Sequence, residues 1–141
     1  MTVHFADRQS AAAIDRATLR ALCRSVLRAH DREADLSLCY VDAAAIRELN
    51  ARFLGRDEVT DVLAFPLEEG PEDDRLLGEV VVCTEKAVEE ARSRGLAVDS
   101  EIALYTVHGV LHLLGYDDRS PAQRRQMRQA ERRALEEAGL A

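Results

Sequence analysis

Apolar residues recur along this chain at the spacings that predict helices and strands. Intervals of three and four residues, typical of a helix with one buried face, mark a first helix from about Asp15 to His30. Capping residues and glycine stops indicate four more helices later in the chain. The predicted helices cover about residues 15–30, 42–53, 84–95, 99–114 and 120–138.

Four shorter segments have the composition of β-strands, with β-branched residues or an alternation of apolar and polar positions. They are Val3–Ala6, Asp35–Val41, Thr60–Pro66 and Leu77–Cys83. The order β, α, β, α, β, β, α, α, α predicts a single α+β domain over residues 1–141. In this domain a small mixed four-stranded sheet packs with about five helices.

The predicted starts of the later helices depend on capping side chains. Thr84 is expected to cap the third helix, and either Asp99 or Ser100 to cap the fourth. Ser120 and Gln123 predict a capping box at the last helix, with a proline at its first position.

The fourth predicted helix carries the candidate functional residues. It is apolar nearly all round, which predicts a central, buried helix. Within its final stretch, HGVLHLLGYDD, His108 and His112 are four residues apart and therefore share one helix face. Gly115 can end the helix in the left-handed conformation, after which Asp118 can return over the two imidazoles. The alternative interpretation is a buried histidine pair that has ordinary hydrogen-bond partners.

A set of two histidines and one aspartate favours one Zn²⁺ ion with an open fourth position, a zincin-like site on the central helix. Such an ion activates water and polarises carbonyl or phosphoryl oxygens, which predicts a hydrolase. Zinc peptidases of the HExxH type place a glutamate after the first histidine, where this chain has Gly109. We interpret Gly109 as leaving room beside the metal and as evidence against a peptidase.

Composition and charge exclude further classes of function. The net charge of −7 argues against a strongly basic nucleic-acid module, so any RNA partner needs a local basic groove or the metal. No apolar run is long enough for a membrane span, and the start of the sequence has no secretion signal, so we expect a cytoplasmic protein. The cysteines Cys23, Cys39 and Cys83 and the histidines His4 and His30 are expected to be structural.

Two charged stretches are interpreted as solvated surface. Glu68–Asp74 contains five acidic residues in seven and is predicted to be a loop between strands. In the last helix, Arg132 with Glu136 and Arg133 with Glu137 have the spacing of surface ion pairs. The five arginines of this helix could also meet RNA phosphates.

Four segments of the chain resemble those of the YbeY endoribonucleases, also called rRNA maturation factors, in order and rough spacing. They are HGVLHLLGYDD at His108–Asp118, TDVLAFPL at Thr60–Leu67, LGEVVVC at Leu77–Cys83, and LN at Leu49 and Asn50. The resemblance implies a metal-dependent endoribonuclease of the bacterial cytoplasm that cuts single-stranded RNA. Its implied roles are 3′-end maturation of 16S rRNA on the small ribosomal subunit and late ribosome quality control. No DNA or membrane partner is expected.

The resemblance also implies the metal ligands, which are His108, His112 and the residue at position 118. The family usually has a third histidine where this chain has Asp118. A carboxylate ligand leaves the metal less positive, so a bound water should be less acidic.

A second departure from the family lies at Leu54, where the family usually has an arginine near the site. The following basic residue is matched by Arg56, and a usual proline is replaced by Val59. Because an arginine would stabilise developing phosphate charge, Arg52 or Arg56 is a candidate substitute. The general acid and base are not assigned.

The sequence alone therefore leaves three possible functions. The leading one is the metal-dependent endoribonuclease. The second is a ribosome-associated maturation factor whose metal is mainly structural. The third, a zinc peptidase, is disfavoured by Gly109.

Overall fold

The computed structural model describes residues 1–67 and 76–140. The predicted acidic loop Glu68–Asp74 lies outside the described residues. The described elements follow the predicted order of strands and helices. The strands are β1 (Val3–Arg8), β2 (Asp35–Val41), β3 (Val62–Pro66) and β4 (Leu76–Cys83). The helices are α1 (Arg16–Ala29), α2 (Ala43–Leu54), α3 (Thr84–Arg94), α4 (Val98–Leu113) and α5 (Pro121–Glu137).

The four strands form one mixed sheet in the order β1-β2-β4-β3. The β1/β2 and β2/β4 pairs are parallel, whereas β3 runs antiparallel to β4. Strand β3 therefore lies at an edge of the sheet, where Pro66 at its end interrupts no further pairing. The predicted α+β fold with a small mixed sheet and five helices is confirmed.

Alternate residues of the strands pack into two separate apolar clusters, one on each face of the sheet. Leu38 and Val80 belong to the larger cluster, which α1, α4 and α5 complete. Val81 belongs to the smaller cluster with Ile46 from α2. Ten of the sixteen residues of α4 are buried, so the predicted central position of this helix is confirmed.

Some of the predicted capping residues are confirmed and others are wrong. Ser120 and Gln123 form the complete capping box at the start of α5. Thr84 does not cap α3, because it is the first helical residue and its hydroxyl donates to Gln9 Oε1. Helix α4 starts one residue before Asp99 and has no side-chain cap, so the prediction of a cap at Asp99 or Ser100 is wrong.

Other structural expectations concern cysteines, ion pairs and membrane spans. All three cysteines are free and buried, as predicted. The expected ion pairs of Arg132 with Glu136 and of Arg133 with Glu137 do not form. Within residues 1–67 and 76–140, neither arginine lies within 4.0 Å of a carboxylate, and all four side chains are exposed to solvent. Among the described helices, none combines the length and the apolar character that a membrane span needs.

The interpretation of Gly109 as space beside the metal is wrong. A Cβ atom at this position would collide with Cγ1 of Val80 and approach Cγ2 of Val62 to 3.2 Å. The missing side chain of Gly109 therefore allows α4 to lie close against β3 and β4. A glutamate at position 109 would not fit this helix position, so the HExxH arrangement is excluded by packing.

This close contact predicts that Gly109→Ala destabilises the protein. Alanine favours a helix over glycine by about 1 kcal/mol, but overpacking a core costs about 1–3 kcal/mol. We expect the packing cost to prevail, because Val80 is fully buried and its Cγ1 would collide with the new methyl group. Urea unfolding of the two proteins measures the difference in the free energy of unfolding.

The double variant Gly109→Ala, Val80→Ala provides the control. It removes the atom that the new methyl group meets, so its destabilisation should be smaller than the sum of the two single effects. A Gly109→Ala protein at least as stable as the wild type would show that helix and sheet are not in tight contact here.

Candidate metal centre

The two histidines of α4 face a cleft between this helix, β3 and the loop that precedes α5. The cleft has a volume of about 680 Å³ and is open to solvent. His108 and His112 are half-buried, with 24% and 28% of their side chains exposed. They are therefore not core histidines. Other residues that line the cleft include Leu54, Arg56, Asp61, Asp117 and Arg119.

The end of α4 turns the chain back over the histidines. Gly115 has a positive φ of 103°, a backbone conformation that is unfavourable for residues with a side chain. The backbone N–H of Tyr116 donates to the carbonyl of Leu111 and secures this reversal. As a result Asp118 Oδ2 lies 3.7 Å from Nε2 of His108 and 3.7 Å from Nε2 of His112. The return of Asp118 predicted from the sequence is observed.

The three side chains present a triangle of donor atoms with suitable dimensions for one metal ion. Nε2 of His108 and Nε2 of His112 are 3.1 Å apart, and each is 3.7 Å from Asp118 Oδ2. A tetrahedral zinc ion with bonds of about 2.0–2.1 Å would separate its ligand atoms by about 3.3 Å. His108, His112 and Asp118 also form a possible metal-binding group by proximity alone. The residues present therefore fit a zinc ion.

Glu131 in α5 orients His108, and the sequence analysis missed it. Its Oε1 accepts a 2.8 Å hydrogen bond from Nδ1 of His108, which leaves the lone pair on Nε2 directed at the other two donors. One sequence signal could have revealed it. Glu131 lies four residues after Met127 and three before Ala134, which are both buried, so a carboxylate occupies the apolar face of α5.

The surroundings of His108 also change its affinity for a proton. Burial by itself lowers the pKa of His108, but the hydrogen bond to Glu131 and the charges of Glu131, Asp61 and Asp118 outweigh burial and raise it above its ordinary value of 6.5. The same negative charges favour a bound cation. Asp61 is fixed at the start of β3, where its Oδ1 accepts from the backbone N–H of Val62.

His30 supports the loop that carries the aspartate. It caps α1 and its Nδ1 donates to the carbonyl of Val26, as expected of a structural histidine at a helix end. Its Nε2 then accepts a 2.8 Å hydrogen bond from the hydroxyl of Tyr116, two residues before Asp118. Helix α1 thereby helps to fix the position of the loop.

Comparison with known proteins identifies the family. The family model described as Endoribonuclease YbeY matches residues 4–139. The chain belongs to the YbeY endoribonuclease family. It is therefore a hydrolase that acts on RNA, and the resemblance seen in the sequence is confirmed.

Individual members of the YbeY family match this chain over most of their length. Endoribonuclease YbeY of Beutenbergia cavernae is 38% identical over 137 residues, which are 90% of this chain and 91% of that protein. The Salinispora tropica protein of the same name is 39% identical, over 90% of this chain and 89% of its own. The solution structure of TM1509 from Thermotoga maritima superposes with a TM-score of 0.71 at 28% identity, covering 97% of this chain and 89% of that one.

The structure also shows the surroundings of position 54, where the family usually has an arginine and this chain has leucine. Leu54 is 55% exposed and lines the same cleft as the two histidines, so an arginine at this position would also lie at the cleft. Arg56 lines the same cleft. Arg52 instead lies over the ring of Phe53, with its guanidinium carbon 5.3 Å from the ring centroid. Of the two candidate substitutes, Arg56 is the one placed at the cleft.

The contact between Glu131 and His108 predicts a specific effect of Glu131→Gln, which keeps the size of the side chain and removes its charge. We expect the zinc affinity at high pH to fall by about 10- to 100-fold, the usual cost of losing such a partner. The pKa of His108 should also fall, so that protons displace zinc only at lower pH. Competition titrations with a chromophoric chelator, on both sides of the pKa of His108, measure both effects.

The sign of the pH effect on the metal-free protein follows from the same shift. Because folding raises the pKa of His108, the resulting stabilisation is fully present below about pH 6.5 and is lost as the pH rises through the folded-state pKa. Glu131→Gln should reduce this pH dependence. Glu136→Gln, an exposed carboxylate on the same helix, is the matched control. Equal zinc affinities for the wild type and both variants would contradict the role of Glu131.

Proposed function

We propose that this protein is a metal-dependent endoribonuclease that cuts single-stranded RNA and acts in 3′-end maturation of 16S rRNA and in late ribosome quality control. The observation that supports this best is the convergence of His108, His112 and Asp118 at an open cleft in a member of the YbeY family. The small ribosomal subunit as partner and the cytoplasm as location belong to the same proposal. Residues 1–141 would act as one hydrolase domain.

In this proposal His108, His112 and Asp118 hold one zinc ion. The chemistry that zinc supplies in such a site is Lewis acidity, which lowers the pKa of water and polarises a phosphoryl oxygen. Glu131 keeps the imidazole of His108 in the tautomer that binds a metal. Half of the Asp118 side chain is exposed, so the centre is accessible to a large substrate, as a catalytic site requires and a structural one does not.

The charges of the cleft indicate how its residues would treat an RNA strand. Asp61, Asp117 and Asp118 repel phosphate, so the strand enters favourably only when a cation is bound. Arg56 and Arg119 at the cleft can then contact phosphate oxygens. Arg119 is 85% exposed and lies 3.3 Å from the carboxylate of Asp117, so it can exchange this partner for a phosphate.

The end of α2 supports the preference for single strands. Phe53 and Leu54 are 56% and 55% exposed, and Leu54 lines the cleft. Unpaired bases stack on exposed aromatic rings, whereas bases within a duplex are not available for such contacts. The edge-to-face contact with Phe65 holds the ring of Phe53 in place. Since Arg52 lies over this ring, a base would stack on the opposite face or displace the guanidinium.

The direct test is cleavage of a labelled single-stranded RNA that contains the 3′ precursor sequence of 16S rRNA, beside its duplex form. We expect the zinc-loaded protein to cut the single strand only. A chelator or His112→Ala should reduce cleavage to background, because the donor triangle is then incomplete. His4→Ala, at an exposed histidine of β1, should leave the rate unchanged.

The alternative functions give different results in this assay. A folded, zinc-loaded protein that never cuts RNA, and that unfolds when the metal is removed, would support the ribosome-associated factor with a structural metal. If the protein cuts an unrelated single-stranded RNA equally well, the proposed endoribonuclease activity is retained, but the specific role in 16S rRNA maturation is contradicted.

The exposed position of Leu54 at the cleft predicts that Leu54→Arg increases activity. An arginine there can approach the phosphate at which charge develops, so we expect the rate of the cleavage step to rise by about tenfold. Leu54→Gln, which adds a polar chain without charge, is the matched control and should have no such effect. Single-turnover cleavage rates measure the change. A rate for Leu54→Arg no higher than that of Leu54→Gln would show that position 54 does not reach the scissile phosphate.

A further inference from the structure

Helix α1 carries a line of arginines that the metal centre does not use. Arg16, Arg20, Arg24 and Arg28 recur at every fourth position, and all four are exposed. The helix contains no acidic residue, although the chain as a whole has a net charge of −7. We call these four residues the arginine ridge.

The side chains of the arginine ridge are not neutralised within the described parts of the chain. No carboxylate of residues 1–67 and 76–140 lies within ion-pair distance of any of the four, whereas Arg47, Arg94 and Arg119 each have one. The arginines of α5 also lack such a pair in this part of the chain, but they share their helix with three glutamates. Arg16 and Arg20 instead lie over the ring of Phe5, at 5.6 Å and 5.4 Å from its centroid. Stacking on a ring leaves the hydrogen-bond donors of a guanidinium free for another partner.

The spacing of the arginine ridge suits a partner with regularly repeated negative charge. Successive arginines rise by about 6 Å along the helix and turn by about 40° around it. The ridge thus extends for about 18 Å as a gently winding line of positive charge. A nucleic-acid backbone presents phosphates in a comparable regular series.

We propose that the arginine ridge is a docking surface for the phosphate backbone of RNA, separate from the cleft. This inference rests on the proposed function to the extent that RNA is the substrate. None of the four arginines lines the cleft. However, His30 at the end of α1 contacts Tyr116 in the loop that carries Asp118, so RNA that passes Arg28 comes next to this loop.

The acidic cleft explains why binding of RNA would require positive charge on another surface of the protein. Most of the non-specific affinity for RNA comes from cations that neutralise phosphates. The cleft supplies little net positive charge, because its carboxylates outnumber its two arginines. The carboxylates are those of Glu58, Asp61, Asp117 and Asp118, and the arginines are Arg56 and Arg119. An acidic protein that acts on a polyanion therefore needs its positive charge concentrated elsewhere, and α1 is a helix with basic residues and no acidic ones.

The composition of α1 favours RNA over an anionic membrane. Membrane-surface helices insert large apolar side chains beside their basic residues. The exposed neighbours of the arginine ridge on α1 are Ala17, Ala21 and Ala29. The exposed large apolar residues of the described chain lie in other elements and loops, at Phe53, Leu54, Val59, Leu67 and Leu96.

The test compares two variants with the same change in charge. One carries Arg20→Gln, Arg24→Gln and Arg28→Gln in α1; the other carries Arg125→Gln, Arg128→Gln and Arg132→Gln in α5, a helix that also contains Glu131, Glu136 and Glu137. Binding of a labelled single-stranded RNA is measured over a series of salt concentrations. We expect the α1 variant alone to lose at least about tenfold in affinity, and its slope of log Kd against log salt to fall by about 2, or 0.7 for each arginine.

Cleavage separates docking from catalysis. The α1 variant should cut a short oligonucleotide at the wild-type rate and require a higher concentration of a long RNA. Equal losses of affinity in both variants would reveal a general effect of charge and overturn the proposal. Ridge-dependent binding to phosphatidylserine vesicles without ridge-dependent binding to RNA would also overturn it.

Repeating the binding measurement in the His112→Ala protein keeps the two proposals distinct. If RNA is never cut but still binds through α1, the proposed function fails and the ridge stands.

Discussion

The close contact of α4 with the sheet is the constraint on which the site depends. Gly109 lets the helix backbone approach Val62 and Val80, and this fixes both the height and the rotation of the turn that carries His108 and His112. The two imidazoles can then face only the cleft at the β3 edge. The same packing leaves no space for a glutamate beside the first histidine, so the feature that separates this centre from the HExxH peptidases is steric as well as chemical.

Negative charge dominates the surroundings of the two histidines. Asp61, Asp118 and Glu131 all raise the proton affinity of His108, and they raise its attraction for a metal cation in the same way. A metal ion at this site would therefore compete with a proton for Nε2 of His108. A cleft with this field would accept a nucleic-acid backbone readily only after a cation has offset most of the local negative charge. The metal would thus serve binding as well as chemistry, while the protein surface elsewhere provides the longer-range attraction.

Local patterns were sufficient to predict the elements and the donor triangle, because helix periodicity, strand alternation and the glycine at 115 each act within a few residues. Contacts between distant segments were not predictable in this way. Glu131 meets His108 only when α5 packs against α4, and Gly109 acquires its meaning only from Val80 on the sheet. The misplaced cap of α4 has a similar origin, since burial of the helix stabilises a start that lacks a side-chain cap.

The position of Glu131 has a consequence for the order in which the centre matures. All three donors lie between residues 108 and 118, but the carboxylate that selects the tautomer of the first histidine belongs to the last described helix. A nascent chain that has emerged only as far as Asp118 possesses all three candidate donors and lacks the group that orients the first of them, His108. Under the proposed function, tight metal capture would therefore await the docking of α5, and a loaded centre would be a sign that synthesis has passed this helix and that folding has brought it into place.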